Sequence, residues 1–133
     1  MADQEIKIRF GKGFNGELIA KNGTAAVGGT AGTLAPYDLL LGSLAACLYS
    51  TFLDVVEKKR ISFDGADVTV TGEKRKEIPT TLKHVNVVIE ARDVSDEKGV
   101  LKAAELATKY CSVYETISKV ADIDLDVKFI KSF

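Results

Sequence analysis

Residues 34–60, LAPYDLLLGSLAACLYSTFLDVVEKKR, decide how the rest of the chain is read. Pro36 suits a first helical turn, because its fixed φ is already helical and an N–H is not needed there. Asp38 is an acid near the positive end of the helix dipole, and Lys58, Lys59 and Arg60 gather at the negative end. Both ends of one long helix are thereby marked. Leu40, Leu44, Cys47, Thr51 and Val55 recur at steps of three and four and share a stripe. Leu39, Leu41, Ala45, Leu48 and Phe52 point to other sides, so the helix is apolar nearly all round from Leu39 to Leu53. Such a helix needs cover on most of its circumference. Cys47 at its centre is open to two readings, a small core residue or a nucleophile kept from bulk water.

On the N-terminal side, residues 5–10 (EIKIRF) alternate apolar and charged, the period of a half-buried strand. Gly11, Gly13, Asn15 and Gly16 supply turn chemistry and residues 17–20 return, which predicts a hairpin. A second turn at Asn22 and Gly23 leads to a short strand within 24–32. Gly28, Gly29 and Gly32 form no phosphate-binding pattern.

On the C-terminal side, residues 66–75 (ADVTVTGEKR) and 81–91 (TLKHVNVVIEA) are β-rich and separated by Ile78, Pro79 and Thr80, which predicts an antiparallel pair. Lys83, Val85, Val87 and Ile89 form the face expected to meet the core, leaving His84 on the more polar face as a surface histidine. Ser95, followed by Asp96 and Glu97, predicts the start of a second helix that ends or bends near 109–111. Val113, Ile117 and Val120 then predict a third helix, with Ser112 available to cap it and Cys111 at or just before its start. A cysteine there has its thiolate favoured by the dipole and free amides. Residues 122–130 (DIDLDVKFI) alternate without a break and predict a closing strand. Strands and helices segregated in this order indicate an α+β fold, its sheets largely antiparallel and packed around the long central helix.

One domain over residues 1–133 is expected from the length, with roughly two thirds of the unfolded surface buried. The 18 basic and 19 acidic residues are intermixed at a net charge of -1, which gives no electrostatic grip on nucleic acid or anionic membrane. The start MADQEIKIRF lacks a signal-peptide core, and the apolar run at 39–48 reads as too short to span a bilayer. A cytoplasmic protein is expected, in which Cys47 and Cys111 are buried thiols, a metal fragment or a redox pair. Metal is the weakest of the three, because one histidine and no Cys-x-x-Cys leave too few soft ligands. No cofactor is implied.

PYDLLLGSLAACL, with proline, an acid, an apolar run and a cysteine nine positions beyond that acid, resembles the first signature of the OsmC/Ohr family. KYCSV at 109–113 resembles its second signature, in which a cysteine opens a helix and is often followed by proline and valine. The resemblance implies an OsmC-like fold, an intertwined homodimer whose central helices pack together, and thiol-dependent reduction of organic hydroperoxides in oxidative stress defence. Cys47 would be the peroxidatic nucleophile and Cys111 the resolving thiol, with an external dithiol as reductant. An arginine from the N-terminal hairpin and a helix-start carboxylate would complete the catalytic set, with Arg9 or Lys12 and Asp38 as candidates.

Three positions depart from the signatures. Tyr37 stands ten residues before Cys47, where peroxidase members usually have glutamate, and Asp38 is shorter and one place later. In an ideal helix Asp38 and Cys47 point in opposite directions, so pairing needs an irregular start or the partner chain. The hairpin turn FGKGFNGE lacks arginine, and Lys12 has no planar guanidinium fork. Ser112 replaces the proline after Cys111. The alternative these departures raise is an OsmC-like dimer that binds a small apolar or thiol ligand without turnover.

Overall fold

The structure, a computed structural model, describes residues 3–132. In chain order it contains β1 (Lys7–Phe10), β2 (Asn15–Ile19), β3 (Thr24–Gly28), α1 (Pro36–Lys58), β4 (Ala66–Lys74), β5 (Leu82–Arg92), α2 (Glu97–Tyr110), α3 (Ser112–Ser118) and β6 (Asp122–Ile130). The α+β class is as read from the sequence. The residues group into two compact units divided between Leu40 and Leu41.

The first unit is a three-stranded antiparallel meander, β1-β2-β3, followed by the start of α1. Gly13 turns the first hairpin at a φ of 81°, a conformation glycine adopts without penalty. Gly16 opposes Phe10, and a Cβ at residue 16 would lie 2.7 Å from the Phe10 ring and 2.8 Å from the Arg9 carbonyl. Glycine lets β2 begin at Asn15, earlier than the predicted return strand. Leu34 bridges to Val27 in parallel, its N–H donating to the Ala26 carbonyl at 2.8 Å. Asp38 then closes the helix start, with Oδ2 accepting from the Ala35 N–H at 2.8 Å. An acid at the third helical position that reaches back in this way satisfies a donor the helix cannot.

In the second unit the buried stripe of α1 is Leu44, Leu48, Phe52 and Val56, each 0% exposed. Of Leu40, Leu44, Cys47, Thr51 and Val55, which share a stripe in the sequence, only Leu44 is fully buried, and the others are half-buried or exposed, so cover does not extend to most of the circumference. The physical reason is that the four-step row carries Leu, Leu, Phe and Val without a small or polar member, so it withdraws the most apolar area from water. Leu40 stays 39% exposed. On length and composition alone the whole of α1 is apolar enough to cross a bilayer, a test that the core helix of a soluble protein also passes.

The second sheet has the order β4-β5-β6. The pair β4/β5 is antiparallel as predicted, with an irregularity at Glu73 and Lys74, but β5/β6 is parallel. The sheets are therefore largely, and not wholly, antiparallel. Helices α2 and α3 lie between β5 and β6 in the chain, and a crossover of that length returns a strand in the same direction. Val85, Val87, Ile89 and Ala91 of β5 are all 0% exposed. Lys83 is exposed instead of sharing that face, while Leu82 is buried, as the irregular end of the pairing allows. His84 lies on the outer face, Nε2 3.2 Å from Asp124 Oδ2.

Asp96, and not Ser95, is the N-cap of α2, with Oδ1 accepting from the Gly99 N–H at 3.0 Å. Ser95 Oγ accepts from the Ser62 N–H at 3.0 Å. Helix α2 buries Val100, Ala103, Ala104 and Ala107. Val120 lies beyond α3 and is 60% exposed, so only Ile117 anchors that short helix as predicted.

Candidate functional site

Cys111 is the joint between α2 and α3. Its N–H donates to the Ala107 carbonyl at 2.9 Å, closing α2, while its own carbonyl accepts from the Glu115 N–H at 3.1 Å and opens α3. A single residue serves both helices because its backbone is extended, at φ -75° and ψ 116°. Its Sγ accepts from the Tyr114 N–H at 3.4 Å, so the thiol, and not Ser112, is the N-cap of α3. Cys111 is 1% exposed.

Cys47 reaches the same place from the middle of α1 and is half-buried. The fold brings the two free thiols, 64 positions apart in sequence, within hydrogen-bonding reach of each other. They have opposite tendencies. Burial is the largest influence on Cys47 and pushes its thiol pKa up. Hydrogen bonds from the Val113 N–H, the Cys111 thiol, the Ser112 hydroxyl and the Ser112 N–H together outweigh burial and leave it below the ordinary thiol value. Each of those donors is neutral. The Cys111 thiol is pushed up, first by burial, then by its hydrogen bond to Cys47 and by the charge Cys47 would carry, although the Tyr114 and Val113 amides pull the other way. The accessible sulfur therefore favours the anion while its buried neighbour keeps a proton to donate. An anionic sulfur is the form that attacks electrophiles, and a protonated thiol beside it can follow with a second bond.

The other two residues named from the sequence belong to the first unit. Arg9 is exposed in β1, opposite Glu17 in the β1/β2 register. Asp38 is exposed and engaged with the Ala35 N–H. Lys12 lies in the β1–β2 turn. A groove of about 360 Å³ lined by Leu101, Thr108, Tyr114 and Val127 includes neither sulfur.

Sequence reading missed Ser112 and Val113 as contacts of Cys47. The signal available was KYCSV itself: a helix opening after Cys111 presents the amides of the next residues on one side, and serine adds a hydroxyl. Which helix those donors would meet was not readable from spacing.

An α+β fold of two small sheets with one long helix is that of the OsmC-like proteins, and residues 29–126 match the family described as OsmC-like protein. The chain belongs to that family. Among relatives, YhfA of Escherichia coli K12 is 30% identical over 91 residues, which cover 66% of this chain and 67% of YhfA. A hypothetical protein from Aquifex aeolicus VF5 has the same fold with a TM-score of 0.90, at 21% identity over 100% of both chains. The organic hydroperoxide resistance protein OhrB of Bacillus subtilis superposes with a TM-score of 0.67, at 19% identity over 93% of this chain and 96% of its own.

Proposed function

We propose that the chain is a stress-defence protein that reduces organic hydroperoxides through Cys47 and Cys111. The observation that carries this reading is the juxtaposition of half-buried Cys47 with Cys111, buried at the α2–α3 joint; the hydroperoxide resistance of structural relatives such as OhrB supports the choice of substrate. The Cys47 thiolate attacks the distal peroxide oxygen, the O–O bond breaks, and the leaving alkoxide takes a proton from solvent to become the alcohol. Cys47 is then a sulfenic acid. The Cys111 sulfur attacks the Cys47 sulfur, a disulfide forms and water leaves. An external dithiol, available in a cytoplasm that keeps thiols reduced, returns both cysteines to thiols by exchange.

A second copy of the chain belongs to this proposal. Of the apolar residues of α1 only Leu44, Leu48, Phe52 and Val56 are fully buried, and Leu40 is 39% exposed, so one chain leaves much of an apolar helix uncovered. Arg9 and Asp38 enter as the cation and carboxylate the family resemblance calls for; Arg9→Ala should slow peroxide turnover measurably, and unchanged turnover removes Arg9 from the catalytic set.

Peptide mapping without reductant, after one equivalent of cumene hydroperoxide, tests the chemistry directly. One Cys47–Cys111 disulfide per chain, with one alcohol released, is the expected result. Independent sulfinic acids at the two positions, or intact thiols beside unconsumed peroxide, would overturn it.

A further inference from the structure

Asparagine is followed by glycine twice in the first unit, at Asn15 and Gly16 and at Asn22 and Gly23, and the two pairs lie in opposite settings. Asn15 opens β2, the middle strand of its sheet, and Gly16 is paired with Phe10 of β1 on one side and Val27 of β3 on the other. The Asn15 carbonyl accepts from the Gly11 N–H at 3.1 Å, and a Cβ at residue 16 would lie 2.8 Å from the Arg9 carbonyl. The Asn15 side chain is exposed, but the backbone beside it is fixed in the sheet. Asn22 and Gly23 are exposed and lie in the turn between β2 and β3, outside both ladders. That turn is closed by the Ala20 N–H donating to the Gly23 carbonyl at 2.9 Å; among the described residues no hydrogen bond engages the Gly23 N–H or the Asn22 side chain. A Cβ at residue 23 would meet nothing within 4 Å.

We propose that Asn22 is a site of spontaneous covalent modification, deamidation through a cyclic imide formed with Gly23, and that the sheet protects Asn15 from the same reaction. The Gly23 nitrogen gives up its proton and attacks the side-chain carbonyl carbon of Asn22. A carbon–nitrogen bond closes a five-membered ring, and the side-chain nitrogen leaves as ammonia. Water then opens the ring at one of its two carbonyls, which gives aspartate or isoaspartate at residue 22. No oxidant or reductant takes part. Glycine after the asparagine admits the attack, because it has no side chain to crowd the ring. An exposed turn lets the two residues bend toward each other, whereas an extended strand holds the Gly16 nitrogen in the ladder until the sheet opens locally. Each product places a carboxylate beside Lys21 and takes the net charge from -1 to -2. Isoaspartate also adds a backbone methylene to the turn that sets the β2/β3 register. The site is independent of the peroxidase reading.

The test is peptide mapping by mass spectrometry of the full chain, aged at mildly alkaline pH and physiological temperature. In the native protein the Asn22 peptide should gain the mass difference between amide and acid about tenfold or more faster than the Asn15 peptide, whose reaction waits on opening of the sheet. An acidic species that comigrates with Asn22→Asp on ion exchange should grow at the same rate. In denaturing urea the two sites should convert at similar rates. Gly23 is not among the glycines at positive φ and has open space for a Cβ, so Gly23→Ala should keep the parent's melting curve while slowing conversion at Asn22 severalfold. Asn15 converting as fast as Asn22 in the native protein overturns the proposal, as does an Asn22 that converts only in urea or at an unchanged rate in Gly23→Ala. An Asn15 that stays slow in urea overturns its protection by the sheet.

Discussion

Replacing Cys47 by serine should stop consumption of cumene hydroperoxide, leaving only the rate of peroxide with reductant alone, while the melting curve stays near the parent's. Serine is close in size and the position is half-buried, so the helix has little to lose. The chemistry has everything to lose, because an alcohol is not ionised near neutral pH and cannot take over from a thiolate. The parent's pH dependence follows from the same site. The Cys47 thiol lies below its ordinary value, so the rate should rise as pH climbs through that lowered value and level off at a lower pH than an ordinary cysteine would give. At higher pH the Cys111 thiol, held above its ordinary value, gives up its proton, and the donor to Cys47 becomes a like charge. Stopped-flow consumption across pH for parent and Cys47→Ser checks both statements. A serine variant as fast as the parent would remove Cys47 as nucleophile.

Phe52→Ala should cost about 3–5 kcal/mol, the largest stability loss expected of one substitution here. Phe52 is 0% exposed, and its ring centroid lies 6.1 Å from those of Tyr49 and Phe63, edge-on to the latter. Removing it forfeits apolar burial and two aromatic contacts and leaves a cavity that the four-step row of α1 is too regular to close. Against a total stability of about 5–15 kcal/mol for a domain this size, much of the folded margin disappears. Val55→Ala, one turn along on a half-buried flank, should cost far less. Urea unfolding of the three proteins measures the difference. A Phe52→Ala midpoint equal to that of Val55→Ala would mean that the buried stripe of α1 is misassigned.

The contrast between Phe52 and Val55 shows where sequence reasoning ends. Helical period places Leu44, Cys47, Thr51 and Val55 on one stripe and Leu44, Leu48, Phe52 and Val56 on another, and with apolar residues all round neither wins on pattern alone. The choice is made by the other elements that build the core of the same unit. The same applies to β6. Its alternation is plain in DIDLDVKFI, and the strand is found at Asp122–Ile130, but direction is a property of the crossover that precedes it. Asp96 took the cap from Ser95 because both are good caps and local pattern does not separate adjacent candidates.

By itself the sequence determined that there is one long apolar helix, that strands flank it on both sides, that the class is α+β, and that a cysteine stands at the opening of a late helix. These follow from period, capping chemistry and turn residues, which act over a few positions. Only the tertiary structure decided that Cys47 and Cys111 meet and which of them favours the anion. Those facts depend on how α1 and the α2–α3 joint are packed across 64 positions of chain, and no local rule carries contact over that distance.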